Sequence, residues 1–356
     1  MANIFDYVEK YGDLTFKQKR FNEVDNLVLS LLAYCDLRDT KVDEKCHTLA
    51  EIGHEYLQTH RLADVKKYGV GIASAFKLLE LCVKLPRYKN MTILDYEYNA
   101  NSDMQFGGIV FELMPDLIYV AFEGTDQLIS AWKEDADLAC FFPVPAQIEA
   151  VEFLHRNVKV FGPDVIVGGH SKGGNLALVA SMFMSPLKKR KILRVYSNDG
   201  PGLRRREFES ARYRSIKKKY VHIVPETSIV GMLLRHDTFK VIKASKSAPH
   251  SHEIVSWEVV DSKLRRGTLS ARSASFEKSV LRWLDSHNDA QRQRTVDAVF
   301  GTLRRAGVLD TTQLKKPSNL IRAIGRFNKD VDEETKKLVL NLVTGCIDDV
   351  RKTKKK

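Results

Sequence analysis

The segment VIVGGHSKGGNLALVASM, residues 165 to 182, constrains the fold more than any other part of the chain. An unbroken apolar run meets paired glycines, one serine and a second glycine pair, then passes directly into small and aliphatic residues at helical spacing. Short apolar runs of this kind suit a strand buried on both faces of a parallel sheet. A helix starting so soon after a strand requires a sharp turn that tolerates no side chains at the flanking positions. Gly169-His170-Ser171-Lys172-Gly173 therefore fits G-x-S-x-G, which lifts a serine hydroxyl above the sheet and aims the following helix N-terminus at it. Five residues alone are a weak signal; the strand before and the helix after, each read from patterning, give the match its meaning.

The neighbouring sequence supplies the rest of such a sheet. MTILDYEYNA (91 to 100), FGGIVFEL (106 to 113) and LIYVAFEG (117 to 124) are rich in β-branched and aromatic residues, and MPD joins the last two as a hairpin. Then come a helix at 145 to 158, a strand at 164 to 169, a helix from Asn175 to about Met184, a strand at 191 to 199, a basic helix at 203 to 217 and a strand at 220 to 225. This alternation predicts a right-handed parallel α/β sheet, with SHEIVSWEVV (251 to 260) as a further strand at its far side.

Upstream, Phe21, Val24, Leu27, Val28, Leu31 and Leu32 fall at helical spacing, so an amphipathic helix over 20 to 35 should pack on the core. Two more helices are expected around 43 to 60 and 70 to 85, the second ended by Pro86. From about Ser273 the texture turns to charged helical stretches without strand signals. The expected division is an N-terminal helical segment (1–90), an α/β core (91–272), a C-terminal helical appendage (273–350) and a disordered basic tail (351–356), with no internal repeat.

Composition narrows the function classes. A hydrophobic content of 44% is that of a chain with a packed core. Cys35, Cys46, Cys82, Cys140 and Cys346 are odd in number and widely spaced without a CxxC pair, so they read as reduced core thiols and suggest the cytosol. The N-terminus has no apolar run of signal-peptide length, and LVLSLLAYC (27 to 35) is roughly half a bilayer span, so a soluble cytoplasmic protein is expected. The net charge of +12 is clustered at 187–191, 203–208, 216–220, 263–267 and the tail. Such charge attracts nucleic acid, anionic lipid or acidic substrates. With no aromatic-interleaved basic motif or zinc finger beside it, a solvated basic surface is the expectation and nucleic acid is disfavoured.

A serine hydroxyl needs a base and an orienting acid, which in this architecture follow later in the chain, acid before histidine. His222 sits in a strand pattern, His287 in the helical appendage, and His236 in LRHDTF. His252, in the loop SAPHSHEIV, is chosen as the base, with His250 in reserve. A zinc site on His250-x-His252 lacks a third ligand at a telling spacing, so no metal and no cofactor are expected. For the acid, Glu226 directly follows YVHIVP, where the orienting carboxylate normally emerges, and Asp199 ends the previous strand in SNDGPG, where it could equally be a turn aspartate. The oxyanion donors are expected to be the Lys172 backbone N–H and Thr125, in the loop after LIYVAFEG.

These residues together resemble the class 3 lipase-like branch of the α/β hydrolases, and more narrowly a bacterial branch of it with an FNEVDNLVLS-type helix. AFEGTDQLISAWKED is similar to the family's F-R-G-[ST] strand end followed by a tryptophan and an acidic pair, matching at Phe122, Gly124, Thr125, Trp132 and Asp135. GHSKGGNLA resembles its G-H-S-L-G-G nucleophile motif, and NDGPG falls where the lipases place a Gly-Pro turn. The resemblance covers roughly residues 20 to 262. It implies an α/β-hydrolase fold with a mostly parallel central sheet flanked by helices, and serine hydrolysis of an acyl ester or thioester without a cofactor. Three departures stand out. Glu123 replaces arginine, Lys172 replaces leucine, and Ser228 falls where the lipases carry the catalytic aspartate, with Glu226 two positions away as a substitute. Lys172 would put a cation beside the site, which suits an anionic or polar substrate better than triglyceride.

Overall fold

In the computed structural model, the described residues are all except 45–46, 102–103, 126–128, 311–312, 315 and 354–356, and within helices the side chains of 43, 130, 343 and 345–353 are also left aside. Cys46, the side chain of Cys346 and the end of the lysine tail thus lie outside the described residues. Cys35, Cys82 and Cys140 are free thiols in the interior.

Eight strands form one sheet whose spatial order is their order in the chain. They are β1 (His47–Thr48), β2 (Thr92–Ala100), β3 (Gln105–Met114), β4 (Leu117–Phe122), β5 (Asp164–His170), β6 (Ile192–Asn198), β7 (Tyr220–Pro225) and β8 (Phe239–Ile242). The pairs from β1 to β4 are antiparallel, and β4 to β8 are parallel. The register sets Phe122 opposite Gly169, His170 opposite Asn198 and Pro225 opposite Ile242. The carboxyl ends of the parallel strands therefore share one edge, and the residues just beyond them are neighbours.

A parallel sheet that steps always in one direction through right-handed crossovers receives all its connecting helices on one face. Those connections are α7 (Ile129–Asp137) and α8 (Pro145–Asn157), then α9 (Lys172–Phe183) and α10 (Pro186–Lys191), then α11 (Arg205–Phe208) and α12 (Ala211–Ile216). On that face Val110, Val120, Val165, Val167 and Val195 of the sheet pack with Phe153, Leu178 and Ile216 of the helices. The alternate residues Ile109, Phe111, Tyr119, Ala121 and Ile166 point the other way, as the two-residue period of a strand demands.

The N-terminal helices cover that second face. They are α1 (Ile4–Tyr11), α2 (Glu23–Leu32), α3 (Leu49–Thr59), α4 (Leu62–Val65), α5 (Val70–Cys82) and α6 (Pro86–Lys89), the last opened by Pro86 at its first turn. Their anchor is polar. Asp25 accepts from Arg87 at 2.6 and 2.8 Å and from Tyr88 and Tyr7 at 2.9 and 3.1 Å, with both charged side chains wholly buried.

The C-terminal helices α13 (Ala271–Ser286), α14 (Asp289–Arg305), α15 (Pro317–Asp330) and α16 (Glu333–Thr353) are attached by two small apolar clusters. Leu138, Val144 and Leu234 meet Val280 and Leu284 of α13, and Ile129 at the start of α7 meets Ala306, Val308 and Ala323.

Three expectations are corrected. Residues 251 to 260 are not a strand of the central sheet: they form two 3-10 turns and end in Val259–Val260, which pairs only with Lys263–Leu264 in a small hairpin. Trp257 explains this. Its fully buried ring turns the segment inward, and its indole N–H donates to Ser251 O at 2.9 Å, a local closure that an extended strand cannot make. The strand at the far side of the sheet is instead Phe239–Ile242. The helix after the serine also begins three residues earlier than expected, at Lys172, and the basic stretch 203–217 breaks into two short helices.

Candidate active site

Ser171 joins β5 to α9 with φ 57° and ψ −130°, a conformation rare for a residue with a side chain and of the kind that persists only where the surroundings enforce it. Those surroundings are the glycines. A Cβ on Gly169 would lie 2.3 Å from the carbonyl carbon of Gly173, and one on Gly173 would lie 2.1 Å from Phe122 O. Both positions must be bare for β5, α9 and β4 to meet. The Ser171 N–H donates to Asn198 O at 3.0 Å, so the elbow is tied to the end of β6.

Asp199 is the first residue after β6, again at positive φ (52°), and fully buried. His252 Nδ1 donates to its Oδ2 at 2.7 Å. Its other oxygen, Oδ1, accepts from Ser228 Oγ at 2.5 Å and from Gly231 N at 3.2 Å. Ser228, placed by the lipase resemblance at the aspartate position, thus donates to a carboxylate that has come from the neighbouring strand. Glu226 stands elsewhere: its Oε1 accepts from Thr268 N at 3.2 Å, and its side chain lies against Gly267. His250 is turned away as well, its Nδ1 donating to Glu253 Oε1 at 2.9 Å. Of the expected acids and bases, the geometry brings Asp199 and His252 together and leaves Glu226 and His250 outside.

His252 is held in turn by His170, the neighbour of Ser171 in the chain. The two rings are 4.4 Å apart, and His170 Nε2 donates to His252 O at 2.8 Å. Burial, reinforced by His252, pushes the His170 imidazole down to about 3, so it is neutral. With Nε2 carrying the proton, Nδ1 is the acceptor, and Tyr34 Oη donates to it at 2.8 Å. Gly124, in the loop after β4, directs its N–H at the same tyrosine oxygen. A Cβ on Gly124 would sit 2.0 Å from that oxygen. Among the described residues no hydrogen bond joins Ser171 Oγ to His252; such catalytic bonds often tighten only when substrate binds. The His252 side chain is 25% exposed, leaving the site an open edge.

On the oxyanion side, Lys172 is the first residue of α9 and Thr125 follows β4. Thr125 Oγ1 lies 2.6 Å from Asp135 Oδ2 on α7. Burial raises the Asp135 carboxyl to about 6 against the pull of Lys172 and Thr125. The expected cation beside the site is corrected. Lys172 is 1% exposed, and its ammonium donates to Gln105 O at 2.8 Å and to Glu134 Oε2 at 3.0 Å, turned away from solvent and already neutralised.

Sequence patterning also missed a polar support beneath the elbow. Asn26 and Ser30 of α2 are fully buried; Asn26 Nδ2 donates to Asn198 Oδ1 at 2.9 Å, and Asn198 Nδ2 donates to Ser30 Oγ and to Gly169 O, both at 3.1 Å. The available signal was their i, i+4 spacing, which sets both on one side of α2. Among the described residues no cluster of His, Cys, Asp or Glu is arranged to hold a metal, and no helix is long and apolar enough to cross a membrane.

An elbow serine at the carboxyl edge of a mostly parallel sheet, flanked by helices on both faces, defines an α/β-hydrolase-like fold. The chain belongs to the Mbeg1-like family, whose model matches residues 82–301. Among solved structures it is similar to M37 lipase, with 13% identity and a TM-score of 0.37 over 60% of this chain and 69% of that one. It is also similar to a fungal lipase in complex with an inhibitor, with 15% identity and a TM-score of 0.37 over 63% and 79%. No curated protein matches the chain in sequence.

Proposed function

We propose that this protein is a serine hydrolase of the carboxylic-ester type, acting on an acyl ester or thioester. The observation that carries the reading is the 2.7 Å bond from His252 Nδ1 to the buried carboxylate of Asp199, one strand away from a serine held at the elbow geometry. In the proposed reaction Ser171 Oγ attacks the acyl carbon while His252 Nε2 takes its proton, and Asp199 holds the tautomer and stabilises the imidazolium. The Lys172 N–H, at the positive end of α9, and Thr125 receive the oxyanion. His252 then returns its proton to the leaving alcohol or thiol. Water, deprotonated by the same imidazole, releases the acyl group and restores the serine.

Tyr34, His170 and Ser228 are assigned as positioning residues for His252 and Asp199. The buried Lys172 ammonium gives no reason to expect an anionic substrate. The basic clusters give little support to nucleic acid, since Arg204, Arg205 and Lys217 are paired with Asp289, Glu209 and Asp237 at 2.7 to 3.1 Å. A second reading, a hydrolase-fold binding module, is favoured by the unmade bond between Ser171 Oγ and the imidazole.

Fluorophosphonate labelling of the purified protein and of Ser171→Ala, read by mass spectrometry, separates the two. Label on Ser171 in the parent alone establishes an activated serine; a folded parent that takes no label leaves the binding module.

A further inference from the structure

Helix α15 carries a pattern that neither the fold nor the proposed reaction uses. Leu320, Ile321 and Ile324 are 49%, 69% and 53% exposed, and at positions i, i+1 and i+4 they form one outward stripe. Another side of the same helix is buried through Asn319 and Ala323. Arg322, Arg326 and Lys329 are exposed and lie together along one flank, and Lys316 stands at the helix start. The helix has one acidic residue, Asp330 at its last position, which pairs with Arg305 at 3.2 Å. A solvated helix would place its aliphatic residues inward. This one presents three outward with a row of cations on the opposite face, the pattern of a helix that lies in a lipid headgroup layer with its apolar side immersed.

The position of the stripe fits that role. Ala323, from the buried side of α15, shares an apolar cluster with Val308 and with Ile129, the first residue of α7. Ile129 N donates to Leu309 O at 3.0 Å, and Leu309 is itself 59% exposed. Helix α7 also carries Asp135, the partner of Thr125. Ile129 and Val308 further line a cleft of about 890 Å³ with Phe141, Phe142 and Phe300. The buried side of α15 thus packs on the residues that lead into α7, the helix that follows Thr125 in the chain.

The geometry points to α15 as the surface by which this protein docks on an anionic lipid bilayer, Leu320, Ile321 and Ile324 entering the acyl boundary and Arg322, Arg326 and Lys329 meeting the headgroup charge. The occupant is a lipid surface because three cations line the face of α15 opposite the apolar stripe, the division of an interfacial helix, and the chain carries a net charge of +12. Each basic side chain near an anionic leaflet adds attraction. This docking is independent of whether Ser171 is reactive.

The test is co-sedimentation of the Ser171→Ala protein, which leaves lipid intact, with vesicles of phosphatidylcholine alone and of phosphatidylcholine mixed with phosphatidylglycerol. Binding at least about ten-fold stronger to the mixed vesicles is expected, and Ile321→Asp/Ile324→Asp should lower it by about ten-fold or more. Both positions are more than half exposed, so the variant should keep the parent's melting temperature and circular dichroism. Unchanged vesicle binding in this variant overturns the proposal, as does equal binding to both vesicle types. A dimer in size-exclusion chromatography that the variant dissolves, without vesicle binding, assigns the stripe to a second copy and also overturns it. Fluorophosphonate labelling of the parent is read separately, so failure of docking and failure of the hydrolase reading are distinguishable.

Discussion

Replacing Asp199 by asparagine, side by side with Glu226→Gln, tests the proposed triad at its sharpest point. In the transition state His252 becomes an imidazolium next to the carboxylate, with a nitrogen–oxygen distance of 2.7 Å. Taking roughly 4 Å between charge centres and an effective dielectric constant of about 20, the attraction is about 4 kcal/mol, or about a thousand-fold in rate. Asparagine also offers an N–H to the imidazole, which favours the tautomer with its proton on Nε2 and turns the basic lone pair away from Ser171; about another ten-fold follows. Asp199→Asn should therefore lower kcat/KM on a chromogenic ester by about 10³ to 10⁴-fold, while Ser228 Oγ can still donate to the asparagine oxygen and hold the fold. Glu226→Gln alters only a 3.2 Å loop contact with Thr268 N and should stay within about two-fold of the parent. Melting temperatures for both variants guard against misfolding. A folded Asp199→Asn protein with near-parental kcat/KM, or a Glu226→Gln protein that falls equally far, would refute the assignment.

Three further outcomes follow from the same geometry. Ser228→Ala removes a 2.5 Å donor to a buried carboxylate, worth about 1.5 to 3 kcal/mol, and should cost about ten- to a hundred-fold in kcat with little change in KM, measured by steady-state kinetics. Lys172→Met strands Glu134 in the interior and should destabilise by about 3 to 5 kcal/mol in denaturant titration, whereas Lys172→Met/Glu134→Gln should recover part of that loss. Burial raises the Asp135 carboxyl from 3.8 to about 6, so the folded state holds its proton more tightly than the unfolded chain. That stabilisation is complete below 3.8 and is lost as the pH climbs through about 6. Asp135→Asn should remove this decline, so parent and variant melting temperatures should diverge between pH 4 and 7, in the variant's favour at the higher pH.

The sequence was most informative where local chemistry is stereotyped. The elbow glycines and the strands flanking them were readable because a turn this tight excludes side chains at fixed offsets and a buried parallel strand must be apolar throughout. The far strand was not. Phe239–Ile242 is only four residues long, while residues 251 to 260 carry a longer apolar pattern that Trp257 draws inward instead of into the sheet. The position of the acid depended on tertiary contacts absent from any local pattern. Asp199 looks like a turn residue in NDGPG, and only the fold brings Ser228, Gly231 and His252 around it. Lys172 follows the same logic in reverse. A lysine next to the elbow serine reads as a cation beside the site, yet the first turn of α9 sends its side chain inward to Glu134.

That inward lysine joins two segments of separate origin. Glu134 belongs to α7, the element after the loop that carries Thr125, and Lys172 supplies one of the two proposed oxyanion donors from its own backbone. A buried ion pair thus staples the two halves of the proposed anion hole at a fixed spacing before any substrate arrives. Charge developing on a carbonyl oxygen would meet the positive end of α9 already fixed in place and would spend little energy in turning it. In such a site a side chain directed away from the serine sets how little of the frame has to move when charge appears.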